Sequence, residues 1–167
     1  VTDANTCTAQ VTFTLLQPAD ITATFNITPP TCNTSCNGQI TTILGGGTPG
    51  YTLNWSNSGG NPNINLCAGV YTLTVNDANG CVKVLTSTVT APPAFTIALT
   101  TQSTICAGSC NGAATVIATG GTGLITYQFS PTISITNTTG IANGICAGAY
   151  IVNVSDANGC SQPVAFN

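Results

Sequence analysis

The sequence repeats itself, and the repeat is punctuated by cysteine. Val75-Asn76-Asp77-Ala78-Asn79-Gly80-Cys81 recurs as Val154-Ser155-Asp156-Ala157-Asn158-Gly159-Cys160, and Val1-Thr2-Asp3-Ala4-Asn5-Thr6-Cys7 is an earlier copy. Cys7, Cys81 and Cys160 stand 74 and then 79 residues apart. Cys32-x3-Cys36-Asn37-Gly38 recurs as Cys106-x3-Cys110-Asn111-Gly112 at the shorter offset. Leu66-Cys67-Ala68-Gly69-Val70-Tyr71 recurs as Ile145-Cys146-Ala147-Gly148-Ala149-Tyr150 at the longer one, which places a five-residue insertion between Ser130 and Cys146. Self-similarity at a fixed period signals one packed unit used more than once. Residues 19–92 and 93–167 are the expected units, with Pro18 and Pro92-Pro93 at matching junctions. Residues 1–18 read as the C-terminal end of a preceding unit. Each unit then holds four cysteines, and Cys7 is left with a partner outside this sequence. The chain reads as a stretch of a longer polypeptide, with any targeting signal elsewhere.

Each unit reads as all-β. Thr12–Leu16, Ile21–Ile27, Gln39–Leu44, Tyr51–Trp55, Tyr71–Val75 and Val82–Val89 are β-branched or aromatic runs bounded by Gly, Pro, Asn and Asp, the pattern of short strands and turns. Strict alternation in Tyr71-Thr72-Leu73-Thr74-Val75 turns Tyr71, Leu73 and Val75 toward a core, and Tyr150, Val152 and Val154 repeat it. Strands at this spacing in about 75 residues suggest tandem immunoglobulin-like β-sandwiches, with Ala-Gly-x-Tyr as a tyrosine corner. Asp-Ala-Asn-Gly is the expected hairpin into the last strand.

Sandwiches this small bury a modest share of their surface and call for covalent staples. The turn after the first strand and the turn before the tyrosine strand lie at one end of such a fold, which favours Cys36–Cys67 and Cys110–Cys146. Cys32–Cys81 and Cys106–Cys160 are the preferred remainder. The hairpin cysteine should nevertheless sit toward the opposite end, so a bridge from Cys32 to Cys160 of the next repeat competes, and it would rivet neighbours head to tail.

Composition removes whole classes of function. Charged residues are 3% of the chain: four Asp (Asp3, Asp20, Asp77, Asp156), one lysine (Lys83), no histidine. One lysine cannot neutralise a run of phosphates, so nucleic acid is not an expected partner. Without histidine there is no triad base and no histidine zinc ligand. Three of the four carboxylates repeat one turn position, so neither a catalytic pair nor a calcium loop rich in carboxylates is expected, and no cofactor is implied. No window approaches a membrane-spanning apolar run. Disorder is excluded by 43% hydrophobic residues. Gly45-Gly46-Gly47 and Gly120-Gly121 lack the Lys-Ser/Thr of a phosphate loop and read as turns or bulges. Trp55 is replaced by Phe129 in the second unit, the mark of a core filler rather than a sugar platform. Lys83 aligns with Ala9 and Gln162, so a lysine isopeptide is no built-in device of the unit. Five Asn-x-Ser/Thr sites, at Asn26, Asn33, Asn54, Asn137 and Asn153, are glycosylation acceptors only in a host that uses them. Ice binding by a Thr86–Thr90 ladder would need a flat array, which a sandwich does not provide.

These residues carry a family resemblance. Cys-x5-Gly-x-Ile/Ala, then Gly-Gly-Thr-x-x-Tyr/Ile-x-x-x-Trp/Phe-Ser, then Leu/Ile-Cys-Ala-Gly-x-Tyr, then Val-x-Asp-Ala-Asn-Gly-Cys, then a proline junction resembles the SprB-type repeat of very large surface adhesins in gliding and other Bacteroidetes. The resemblance covers both units and the partial one. Cys32, Cys81, Cys106 and Cys160 fall on cysteine positions of that family, and Cys36 and Cys67 look like an additional matched pair. The second unit departs from the pattern by losing the Trp and the Pro-Tyr step. The resemblance implies type IX secretion, a cell-surface or extracellular filament location, and a part in adhesion or gliding motility. The leading expectation is a non-catalytic structural module whose partners are neighbouring repeats, with self-association into rods or filaments. The alternative is a carbohydrate- or surface-binding module that uses Trp55 and the 131–145 loop.

Overall fold

The computed structural model describes residues 1–106, 108–130 and 135–167. It is all-β among these residues. The first sandwich holds β1 (Thr22–Thr28), β2 (Gly38–Gly45), β3 (Thr52–Trp55), β4 (Asn63–Leu66), β5 (Gly69–Asn76) and β6 (Val82–Val89). The second holds β7 (Thr96–Gln102), β8 (Gly112–Thr119), β9 (Thr126–Ser130), β10 (Ile135–Asn137), β11 (Ile141–Ile145), β12 (Tyr150–Ser155) and β13 (Ser161–Phe166). Sheet β1-β2-β4 faces sheet β3-β5-β6, and β7-β8-β11 faces β10-β9-β12-β13. All pairings are antiparallel. β7, β8 and β9 start 74 residues after β1, β2 and β3, and β10 lies in the stretch where the repeat offset lengthens.

Alternation builds two separate cores. One gathers Ile40, Trp55, Leu66, Leu73, Val75 and Val89; the other gathers Val116, Phe129, Tyr150, Val152 and Val154. Leu73, Val75, Val152 and Val154 are fully buried, as their period of two requires. Both tyrosine corners form: Tyr71 Oη donates to the Cys67 carbonyl at 3.0 Å and Tyr150 Oη to that of Cys146 at 3.1 Å.

One local expectation is corrected, and two details go beyond the sequence reading. Residues 12–16 form no strand. Their counterpart β6 pairs with β5, and no strand among the described residues offers such a partner, so only the Thr2–Thr8 bridge forms and Val11, Phe13 and Leu15 are exposed. β4 and β11 are strands that β-propensity did not reveal. Asn63-Ile64-Asn65-Leu66 is half asparagine, but Asn63 is buried in a reciprocal amide pair with Asn57, at 2.9 and 3.0 Å. The expected Asp-Ala-Asn-Gly hairpin joins β5 to β6, with its positive φ on Gly80 (+80°). With Gly80 N–H donating to Asp77 O at 3.0 Å, this is a three-residue loop ending in a left-handed glycine.

Register also fixes polarity. Thr28 pairs with Gln39 and Gly38 with Leu66, so the β1–β2 loop and Cys67 share one pole, called here the exit pole. The β2–β3 turn and the β5–β6 hairpin share the other, the entry pole. The chain enters each sandwich at one pole and leaves at the other, so the exit pole of the first meets the entry pole of the second.

Candidate functional site at the repeat junction

The entry pole is organised by one carboxylate. Asp77 Oδ1 accepts the N–H groups of Asn79 and Cys81 (2.9 and 2.8 Å), and its Oδ2 accepts that of Thr48 in the β2–β3 turn (2.9 Å). Asp156 does the same with Asn158, Cys160 and Thr122, at 2.9, 3.0 and 2.8 Å. Both are buried, at 6% and 7% exposure. A carboxylate that accepts several backbone N–H groups is stabilised in its charged form. Asp77 is accordingly held below the ordinary aspartate range, first by the Thr48 amide and then by that of Cys81, against the opposing effect of burial. Asp3 keeps the two local bonds, to Asn5 and Cys7, at 2.9 and 2.8 Å.

The paired glycines serve the same pole. Gly47 N–H donates to Ala19 O at 2.7 Å and Gly121 N–H to Pro93 O at 2.9 Å. Gly46 has φ +67°, and a Cβ there would lie 1.9 Å from Asp20 O; at Gly120 it would lie 2.1 Å from Ala94 O. The Gly-Gly turn is a dock for the incoming chain, which only a residue without a side chain can provide.

At the junction these parts converge. Pro92 O accepts from Asn33 Nδ2 of the first sandwich at 3.1 Å, while Pro93 O is held by Gly121 of the second. Two successive prolines, each φ-restricted, are thus tied to opposite sides. Asn158 Nδ2 donates to Thr31 O across the same gap at 3.2 Å. Beside it Cys32 is joined to Cys160, with Cα atoms 5.6 Å apart, inside the span a disulfide requires.

The structure therefore replaces the expected Cys32–Cys81 and Cys106–Cys160 bridges with Cys32–Cys160. The reason is polarity. Cys32 sits in the exit-pole loop and Cys81 in the entry-pole hairpin of the same sandwich, separated by the length of β1. Seven residues at about 3.3 Å each far exceed disulfide reach. The structure joins Cys36 to Cys67 and Cys110 to Cys146, each across one exit pole. Cys7, Cys81 and Cys106 are free and exposed.

The remaining candidates scatter. Trp55 is only 4% exposed and packs on Phe25 with ring centroids 5.9 Å apart, and Phe129 is 1% exposed in its place. That corrects the alternative in which Trp55 stacks on a sugar. Residues 131–134 of the 131–145 loop lie outside the described residues. Lys83 Nζ pairs with Asp20 at 2.5 Å, a surface ion pair that lowers the Asp20 pKa and is screened by salt. No metal-holding group of His, Cys, Asp or Glu occurs among the described residues, and no helix there is long and apolar enough to cross a membrane. A cavity of about 220 Å³ at the second exit pole is lined by residues that include Gln102, Thr104, Ile145, Tyr150 and Phe166, with no Asp or Lys among them.

Among known families, the model of the SprB repeat matches residues 24–63 and 98–131, one segment in each sandwich. No curated protein matches the chain.

Proposed function

We propose, from the premise that each sandwich is an SprB repeat, that this chain is a non-catalytic structural segment of a long cell-surface adhesin. The Cys32–Cys160 bridge carries the reading, because a bond between neighbours transmits force along a chain and does nothing for catalysis. Residues 19–92 and 93–167 are the repeat units, and residues 1–18 are the tail of another. Secretion by the type IX route and a part in adhesion or gliding follow from the company such repeats keep. Low charge supports lateral packing of such chains into rods or filaments: a formal net charge of −3 over 167 residues leaves little repulsion between copies, and edge strands carry few of the charges that discourage strand addition. The functional test is location and phenotype. Antibodies against the folded chain should label intact source cells, and deletion of these repeats should weaken surface attachment or spreading. Labelling that requires permeabilised cells would overturn the proposal.

A further inference from the structure

Cys7, Cys81 and Cys106 have no bridge, and the repeat relates each to one that does. Cys81 and Cys7 hold the hairpin position of Cys160, and Cys106 holds the loop position of Cys32. Cys32–Cys160 obeys a simple rule: the loop cysteine of one sandwich joins the hairpin cysteine of the sandwich that follows. Under that rule Cys106 requires the hairpin of a sandwich beyond β13, and Cys81 requires the loop of a sandwich before β1. They cannot satisfy each other, because Cys81 lies at the entry pole of the first sandwich and Cys106 at the exit pole of the second.

Both free ends already hold the geometry of the occupied junction. In the bridged loop, Thr31 N–H donates to Asn37 Oδ1 at 3.0 Å and Ser35 N–H to Cys32 O at 3.1 Å. In the free loop, Ile105 N–H donates to Asn111 Oδ1 and Ser109 N–H to Cys106 O, both at 3.1 Å. The free hairpin keeps the same Asp77 bonds to Asn79 and Cys81 that Asp156 makes in the bridged one. Only the Asn79 side chain differs. It turns to Thr48 Oγ1 at 2.8 Å, whereas Asn158 reaches the preceding sandwich.

We infer that these ends are the two halves of one socket, and that each binds a further copy of this repeat and closes on it with a disulfide, Cys106 to a following hairpin cysteine and Cys81 to a preceding loop cysteine. Tandem repeats are then riveted once per step, independently of any adhesive role. Each closure joins two thiol sulfurs and releases two protons. The two electrons and those two protons pass to a disulfide oxidant, a small-molecule disulfide or that of a thiol oxidoreductase, whose S–S bond breaks to give two thiols.

The test lengthens the full chain by one repeat. Asn167 occupies the position before Val89 in the repeat register, so a second copy of residues 89–167, uniformly labelled with heavy nitrogen so that its peptides differ in mass from the identical ones of the original, is joined directly after it. Both chains are refolded in a glutathione redox buffer, alkylated without reductant and digested with pepsin for mass spectrometry. The original chain has three free thiols, and the extended chain should again have three, with a peptide linking Cys106 to the appended copy's Cys160. Linkage of the appended copy's Cys110 and Cys146 in the same digest reports that the new sandwich has folded. Cys106→Ser should then release the appended copy's Cys160 to alkylation. A folded appended sandwich whose own Cys106 and Cys160 are joined, or in which Cys106 and the appended Cys160 are both alkylated, would overturn the inference.

Discussion

Single side chains at the entry pole decide whether the hairpin holds its shape. Asp156 satisfies three backbone N–H groups while almost wholly buried. Asp156→Ala leaves those donors without their acceptor and should destabilise the second sandwich by about 1–3 kcal/mol, read from denaturant unfolding. Asp77 adds a pH dependence. Its folded-state pKa lies below the ordinary value of 3.8, so its contribution is present above that value and is lost as pH falls through the lower folded pKa. The thermal midpoint should stay level from neutral pH to about 5 and fall below about 4, and Asp77→Asn should shallow that acid limb. An acid limb unchanged in Asp77→Asn would show that this carboxylate is not the group responsible. The role of Asp77 as a turn-former was legible in the repeat, since one Asp recurred before Asn-Gly. Its bond to Thr48 was not, because nothing local relates residues 29 positions apart.

At the scale of strands and turns, the two sandwiches act as natural variants of each other. Phe129 fills the place of Trp55, and Trp55 Nε1 is buried with no hydrogen-bond partner among the described residues. Trp55→Phe should therefore cost less than about 1.5 kcal/mol, whereas Trp55→Ala should cost about 3–5 kcal/mol, both measured by urea unfolding. Equal losses would argue that the indole N–H matters. Cys36–Cys67 closes a loop across 31 residues, and removing it as Cys36→Ser with Cys67→Ser should cost about 3–4 kcal/mol. Strands built of alternating Val, Leu, Tyr and Thr announced themselves in the sequence. β4 did not, because its inward Asn63 is stabilised by one particular partner, Asn57, rather than by hydrophobicity. Residues 12–16 show the converse: Val11, Phe13 and Leu15 have a strand pattern, and a pattern without a neighbouring strand makes no sheet.

For the whole molecule the question is how one sandwich is held to the next. The repeat set the expectation of two units, and the strands form two pairs of sheets, β1–β6 and β7–β13. The bridge between them turned on a competition that spacing alone left open. Within-repeat pairing is the shorter connection along the chain, yet the strand polarity puts Cys32 and Cys81 at opposite poles and brings Cys160 to Cys32. Three ties then span one junction: the docked Pro92-Pro93 segment, the Asn158–Thr31 bond and the disulfide. Cys32→Ser should leave the unfolding midpoint of the first sandwich nearly unchanged, because that cysteine staples no element of its own fold. It should broaden the distribution of inter-sandwich distances in scattering or paired-label measurements. The most direct measurement is the disulfide map of the unmodified chain, taken by non-reducing pepsin digestion and mass spectrometry. The account predicts one peptide pair joining Cys32 to Cys160, with Cys81 and Cys106 recovered as alkylated thiols. Peptides joining Cys32 to Cys81 and Cys106 to Cys160 would contradict it.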